Sequence, residues 1–364
     1  MSTLTVESGT ATVTPGNPRK LRGGWIPAWR TLCRAVALTG LLFVVGLTLS
    51  AWASLWLSQR WLQIFVSDVR STGGQVITRP FVELGLRSLF GLSEVASVQM
   101  GRTRVPDGWY ARLAQFPEVQ TLDVTGTTFN DQDAQGLIPL RRLTWLNLSR
   151  TRLTDEGLWP LKSLPIVQGL ELNETAIGDP GLLVVAELSD LQWLKLDGTA
   201  ISNAGLAAVA RMRHLQGLSL NKTLVGDAGV ENLRGLPELE YLFLNHTPIT
   251  DEAISSIVTL PRLRGVELER TGITDAGLSL LDRSVELEWL NLEGTAIGDP
   301  GLDVLKRLPN LKKINLSHTK ITNQSVETLA GLAFLTWVDL HDTRFTYETI
   351  RQLRERLPNC QVVW

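Results

Sequence analysis

Cysteine is scarce in this sequence: the chain of 364 residues has only Cys33 and Cys360. Cys33 precedes an uncharged apolar span and Cys360 follows the repeats, so the two would lie on opposite sides of a membrane if that span crosses one. They provide neither a disulfide framework nor a zinc-like spacing. The formal net charge is only -2 and no dense basic tract is present, which argues against nucleic-acid binding. The sequence also lacks a nucleophile elbow, a glycine-rich phosphate loop and an H-E-x-x-H motif, so it shows no convincing sign of catalysis and implies no cofactor.

What the sequence has in abundance is repetition. A unit of 24 residues recurs in eleven consecutive rows, the first starting at Val95 and the last at Leu335. The row from 287 to 310 reads L-E-W-L-N-L-E-G-T-A-I-G-D-P-G-L-D-V-L-K-R-L-P-N, and position nine is threonine in every row. A fixed period of this length predicts a solenoid, in which each unit packs only on its neighbours.

Each row is predicted to contain one strand and one short helix. Positions four and six are apolar and lie on one face of a strand, while positions three, five and seven point to the opposite face. Positions twelve and thirteen carry helix-start residues such as Thr274 and Asp275. Apolar residues at positions sixteen, nineteen and twenty-two form a helical stripe, and glycine at position fifteen is expected to let the helix approach the strand.

Stacked rows of this kind predict an α/β fold with a parallel sheet on a concave face and helices on a convex face. The curvature is expected because a helix is wider than the ~4.8 Å between strands. The position-nine threonines are expected to stack at the strand ends and to bond backbone groups of adjacent turns.

These rows resemble the leucine-rich-repeat superfamily, in the class similar to ribonuclease inhibitor. They look most like bacterial, membrane-anchored members with rows of 24 residues. The departure is threonine at position nine, where asparagine or cysteine is commoner. The resemblance implies a curved horseshoe that binds a protein or another ligand on its concave face, usually without catalysis.

The outward strand positions are the candidate partner site. Position three alternates between aromatic residues and glycine from Trp145 to Trp289, which would place large rings about 10 Å apart, twice the strand spacing. One interpretation is a ladder of rings for a peptide or glycan; the other is that each ring shields the neighbouring glycine. The candidate residues are Trp145, Trp193, Tyr241, Phe243, Trp289, Trp337, Glu267 and Glu269.

The N-terminal region predicts a membrane anchor. Residues 1–34 are predicted to form a disordered tail with a basic part. Residues 35–57 carry no charge, and a helix of this length is long enough to cross a bilayer. The Arg and Lys residues before this span place the N-terminus in the cytoplasm and the repeats outside. A buried helix is one alternative, and secretion after cleavage near Ala53 is another. A small-residue row at Gly46, Ser50 and Ser54 would allow weak self-association of the anchor.

The remaining boundaries follow from the repeat. Residues 58–94 do not fit it and are predicted to form an N-terminal cap, with a short strand at 75–78 and helical segments on either side. Residues 95–364 form the repeat domain, whose last row and final strand serve as a C-terminal cap.

Two weaker signals concern the outer surface. The region 227–293 is rich in acids, which would steer a basic partner. Ser317, His318, His341 and Asp342 fall in adjacent rows, where a hydrolase or metal site is conceivable but has no supporting motif. We therefore predict a non-catalytic, membrane-anchored protein that binds a protein or glycan, with an architectural cell-envelope protein as the alternative.

Overall fold

The computed structural model describes residues 59–60, 62–80, 93–105 and 108–364. The predicted tail and anchor at 1–34 and 35–57, together with Cys33, lie outside these residues. None of the helices in the described ranges is long and apolar enough to cross a membrane.

The strands of the repeats form one sheet in chain order, as the repeat predicts. From β2 onward every neighbouring pair is parallel, and equivalent positions of successive rows pair with each other, as Trp145 pairs with Gly169. The strands are β1 Gln75–Pro80, β2 Ser93–Gln99, β3 Thr121–Asp123, β4 Trp145–Asn147, β5 Gly169–Glu171, β6 Trp193–Lys195, β7 Gly217–Ser219, β8 Tyr241–Phe243, β9 Gly265–Glu267, β10 Trp289–Asn291, β11 Lys313–Asn315, β12 Trp337–Asp339 and β13 Gln361–Val363.

The helical segment of each row is short and varies between α-helix and 3-10 helix. Residues 62–71 are helical, and the further α-helices are Trp109–Leu113, Asp131–Ala134, Asp179–Val185, Asn203–Leu206, Asp227–Val230, Asp251–Ile257, Asp275–Ser279, Val326–Ala330 and Tyr347–Arg356. The 3-10 segments are Gln135–Leu137, Asp155–Ser163, Val209–Arg211, Glu231–Leu233, Leu280–Arg283, Asp299–Arg307 and Asn323–Ser325.

The core lies between the strands and the helical segments. In the row from 287 to 310, the side chains at positions four, six, eleven and sixteen (Leu290, Leu292, Ile297 and Leu302) are all fully buried. The other rows follow the same pattern, so the predicted apolar positions are the core positions. The curvature of the stack stays a prediction.

The turn after each strand contains a residue in the left-handed backbone region. This residue is at position eight in all eleven rows, and in only three of them is it glycine. The threonine at position nine closes the turn, because its hydroxyl donates to the position-six carbonyl of its own row, as Thr223 does to Leu220 at 2.7 Å. The expectation that these hydroxyls would bond adjacent turns was therefore wrong: three residues of separation bring the partner within the same turn.

Adjacent rows are joined instead by the acid or amide at position thirteen. The carboxylate of Asp179 accepts from the amide (2.8 Å) and the hydroxyl (2.6 Å) of Ser202 in the next row. A Cβ atom on Gly205 would lie 2.8 Å from the Asp179 carboxyl carbon. Glycine at position fifteen thus makes room for the carboxylate of the preceding row, and the expectation that it also lets the helix approach the strand stays a prediction.

The described part of 58–94 packs against the first row. The helix over 62–71 buries Phe65, which stacks on Trp109 at a ring-centroid distance of 5.4 Å. Strand β1 pairs with β2 antiparallel, unlike all later pairs, and includes the predicted short strand at 75–78. The assignment of 58–94 as an N-terminal cap stays a prediction, and its segment from 81 to 92 lies outside the described residues.

At the other end, β13 continues the sheet, as the resemblance of residues 360–364 to a further strand predicts. Arg354 of the preceding helix donates to the carbonyl oxygen of Val362 at 2.9 Å and so holds this strand in place. The thiol of Cys360 is buried, and this burial raises its pKa.

Candidate functional site

The surface of interest is formed by the side chains at strand positions three, five and seven, which we call the open face. The predicted partner-site residues all lie there. Their side chains are neither fully buried nor fully exposed, which fits rings and carboxylates that have one side against the sheet and one toward solvent. These residues are Trp145, Trp193, Tyr241, Phe243, Glu267, Glu269, Trp289 and Trp337.

Three of the rings lie over glycines of the following strand. A Cβ atom built on Gly217 would meet the Trp193 indole, and one on Gly169 would meet the Trp145 indole in the same way. On Gly265 it would lie 2.8 Å from the Tyr241 ring. The rings therefore cover bare backbone, as the shielding interpretation predicts, and each keeps a partly exposed surface.

The rings are closer together than the strand spacing predicts. Trp193 and Tyr241 stack with centroids 5.7 Å apart and planes 25° from parallel, although two strand spacings separate their backbones. Phe243 and Trp289 meet edge to face at 6.1 Å. The expected separation of about 10 Å between position-three rings was thus wrong for Trp193 and Tyr241, because glycine at β7 lets the Trp193 ring lie along the sheet and reach its neighbour.

A cavity of about 320 Å³ opens over β7. Gly217, Leu218 and Ser219 of this strand line it, and Trp193 and Phe243 stand beside them. The Ser219 hydroxyl donates to the carboxylate of Asp197, which also accepts from the Asn221 amide at 2.9 Å. This cavity is therefore polar below and aromatic at its sides.

Glu267 faces the same cavity and has an unusual environment. Burial raises the pKa of its carboxyl, the neighbouring charges of Glu269 and Asp197 raise it further, and the hydrogen bond from Asn245 only partly opposes them. The other predicted acid, Glu269, lies 3.2 Å from the imidazole of His246. The two predicted acids therefore differ, since within the described residues Glu269 has a basic group within 4 Å and Glu267 has none.

A larger cavity of about 580 Å³ lies over β11, near the start of the strands. Tyr241, Trp289 and Trp337 line it, together with Lys313 and the residues of an ion-pair cluster. In that cluster Glu288 binds Arg264 and, at 2.8 Å, Lys312. Hydrogen bonds from Lys312 and Arg264 hold the pKa of the Glu288 carboxyl below its ordinary value.

The side chains at position seven form a polar ladder that sequence reasoning missed. Asn221 accepts from the Asn245 amide at 2.7 Å, and Asn173 accepts from the Asp197 amide at 2.9 Å. Asn173, Asn221 and Asn245 each precede a threonine in an N-x-T sequence, but that match follows from the repeat itself. The usable signal was the recurrence of short oxygen-bearing side chains at one outward-pointing strand position.

Much of the acidic excess at 227–293 is engaged within the protein. Asp227 and Asp251 belong to the position-thirteen links, and Glu240 and Glu288 bind Arg264. The surplus that would steer a basic partner is therefore smaller than the sequence count indicates.

The residues considered for a hydrolase or metal site form separate pairs. His318 lies 3.5 Å from Asp342, whereas His341 lies 2.8 Å from Asp339. The Ser317 hydroxyl donates to Asn315 at 2.7 Å rather than to an imidazole. In the part of the chain that the structure describes, no group of three or more His, Cys, Asp or Glu side chains could hold a metal ion.

Residues 285–345 match the leucine rich repeat family model. A search of curated proteins finds no match to the chain. Among solved structures, an internalin from Listeria monocytogenes is 21% identical, with a TM-score of 0.54 over 74% of this chain and 86% of that one. The leucine-rich-repeat ectodomain of the Arabidopsis receptor kinase HAESA, in complex with an N-terminally extended IDA peptide hormone, is 20% identical.

The HAESA match has a TM-score of 0.53 and covers 72% of this chain but only 44% of that one. At these identities the likeness to both structures concerns the fold, and the subclass similar to ribonuclease inhibitor stays a prediction. The family match at residues 285–345 and the fold shared with these solved structures support the leucine-rich-repeat superfamily for this chain.

Proposed function

We propose that the chain is a non-catalytic binding protein that recognises a partner protein on the open face. The observation that carries this proposal is the row of partly exposed rings led by Trp193, Tyr241 and Trp289, beside two open cavities. Aromatic side chains provide large contact areas and are enriched where proteins bind one another. The cavities add polar and charged groups that can select a partner by its chemistry.

The likeness to a peptide-binding receptor supports a protein partner. The HAESA ectodomain was solved with a peptide hormone bound, and it shares the fold of this chain at a TM-score of 0.53. The open face of this chain carries rings that suit a peptide or, as a second ligand class, a glycan. We choose the protein because charged side chains accompany the rings in the larger cavity.

The architectural alternative rests on one observation: the rings of Trp145, Trp193 and Tyr241 lie over glycines and therefore have a structural task. A ring that shields the backbone can still contact a partner through its outer surface, so the same ring can serve both structure and recognition. Partner capture by ring variants separates the two functions.

The test compares open-face rings with a ring on the opposite side of the repeats. Trp159, on the helical side, is 60% exposed and has Lys162 4.0 Å from its ring centroid, so Trp159→Ala is a matched control. The full chain, Trp193→Ala, Trp289→Ala and Trp159→Ala are each immobilised and used to capture proteins and glycans from envelope extracts. We expect loss of one specific protein with the first two variants alone, at unchanged circular dichroism. Equal capture by all four chains would favour the architectural alternative.

We further propose that residues 35–57 anchor the protein in a membrane, with the N-terminus cytoplasmic and the repeats exported. The uncharged span and the basic residues before it support this location. N-terminal sequencing of the mature protein tests it: an intact start supports the anchor, whereas a start just after Ala53 supports secretion.

A further inference from the structure

The alternation of aromatic residue and glycine at position three is interrupted at β11, where Lys313 stands instead of glycine. In earlier rows the ring of one strand lies over the glycine of the next, as Trp193 lies over Gly217. Trp289 has no glycine ahead of it. Its ring lies instead toward the preceding strands, 3.6 Å from a Cβ atom on Gly265 and edge to face with Phe243.

Because the Trp289 ring lies toward the preceding strands, no ring of β10 covers the surface over β11. The cavity of about 580 Å³ lies here, with Trp289 on one side and Trp337 on the other. Lys313, between them in the sheet, is exposed and forms no ion pair within the described residues. The cavity thus combines two indole walls with an ammonium group whose charge is not neutralised.

The remaining charges around the cavity balance one another, so Lys313 sets its positive character. Arg264 lies 3.7 Å from Glu240 and also binds Glu288, and Glu288 binds Lys312 as well. Lys313 adds a third cation to the lining. Charged ligands are attracted to a surface of opposite sign, and indole surfaces favour apolar or planar groups. The occupant that matches both features carries a carboxylate next to an apolar side chain.

We propose that this cavity binds an acidic segment of the partner protein, with an aspartate or glutamate side chain paired to Lys313 and an adjacent apolar side chain held between Trp289 and Trp337. The inference rests on the proposed function, because it assigns the chemistry of the partner at the open face. It makes Lys313 the residue that selects for acidic segments.

The probes are three acetylated and amidated hexapeptides of sequence Gly-X-Leu-X-Leu-Gly, in which X is Asp, Asn or Lys. Binding to the full chain is followed by tryptophan fluorescence and by calorimetry. We expect saturable binding of the Asp peptide, weakened by added salt, and at least about tenfold weaker binding of the Asn and Lys peptides, since hydrogen bonds to charged groups are stronger than those between neutral groups.

Two variants of Lys313 separate charge from shape. Lys313→Met keeps the bulk and should weaken binding of the Asp peptide about tenfold or more. Lys313→Gly restores the alternation, so the Trp289 ring should move over β11, close the cavity and change the fluorescence spectrum. Lys306→Met is the matched control, because Lys306 is exposed on the helical segment Asp299–Arg307 and pairs with Asp303.

Equal affinity of Lys313→Met and the unaltered chain for the Asp peptide would overturn the inference, as would equal binding of the Asp and Asn peptides or failure of the Asp peptide to bind. None of these results affects the proposed function, which depends on partner capture by the Trp193 and Trp289 variants. A captured partner that Lys313→Met still binds normally would leave the proposed function standing and remove only the acidic-segment assignment.

Discussion

The indole of Trp193 occupies the space that a Cβ atom on Gly217 would need. Glycine at this position is therefore required by the neighbouring ring and not by a turn. Because the ring lies flat, it also reaches Tyr241 and stacks on it. One small residue on β7 thus permits both the aromatic contact and the cavity above the same strand.

Gly217→Ala should displace this ring and lower the free energy of unfolding by about 1–3 kcal/mol, the usual effect of an overpacked site. Urea unfolding followed by circular dichroism measures the change. The control is the double variant Trp193→Ala with Gly217→Ala, in which the added methyl group no longer meets a ring. If alanine costs as much stability in the double variant as alone, the ring is not the obstacle.

Gly205→Ala should destabilise the chain by a similar ~1–3 kcal/mol, because its methyl group would meet the carboxylate of Asp179. Gly205→Ser should cost less. In a later row Ser325 occupies the equivalent position and its hydroxyl donates to the carboxylate of Asp299. Thermal unfolding of both variants provides the comparison, and a serine variant less stable than the alanine variant would contradict this assignment.

Thr223→Val should lower stability by about 1–3 kcal/mol, since it removes the hydroxyl that donates to the Leu220 carbonyl and leaves that buried oxygen unpaired. The effect should be concentrated near the altered row, because each unit of a repeat array contacts only its neighbours. Hydrogen exchange of backbone amides measures it row by row. Thr223→Ser keeps the hydroxyl and should protect this turn better; equal loss in both variants would show that the methyl group matters instead.

Glu267→Gln should stabilise the protein at neutral pH. The pKa of Glu267 is raised in the folded state by burial, so its stabilising contribution is present below its ordinary pKa of 4.5 and is lost as the pH rises through the higher folded value. The increase in the free energy of unfolding caused by Glu267→Gln should therefore be largest at pH 7 and vanish toward pH 4.

Urea midpoints of the Glu267→Gln and unaltered chains across this pH range measure the difference. Asp299→Asn is a control of opposite sign. Burial raises the pKa of Asp299, but the hydrogen bonds from Ser325 and Thr322 outweigh it and leave the pKa lowered. The stabilising contribution of Asp299 is therefore present above its ordinary pKa of 3.8 and is lost as the pH falls. A Glu267→Gln gain independent of pH would contradict the raised pKa.

The repeat fold was predictable because each core position has one dominant requirement. Leu290 and Leu302 recur at fixed spacings that only a strand and a helical segment facing one core can satisfy. The partners of the polar residues were less predictable. The hydroxyl of Thr223 could reach its own turn or the next one, and only the left-handed residue before it decides between them.

The candidate site was predictable in composition but not in geometry. The alternation identified Trp193 and Tyr241 as residues of one face, whereas their stacking depends on how far the Trp193 side chain extends over Gly217. Lys313 was visible as a break in the pattern. That this break reverses the direction of the Trp289 ring and opens a cavity follows only from the packed side chains.

The most direct test of partner recognition on the open face is site-specific photo-crosslinking. A benzoylphenylalanine placed at Tyr241 reports on the open face, and the same group at Trp159 reports on the helical side. We expect one protein to be crosslinked from Tyr241 and not from Trp159, with the crosslink lost when Trp289→Ala is introduced. A partner crosslinked from Trp159 alone would place recognition on the opposite surface and contradict the proposed function.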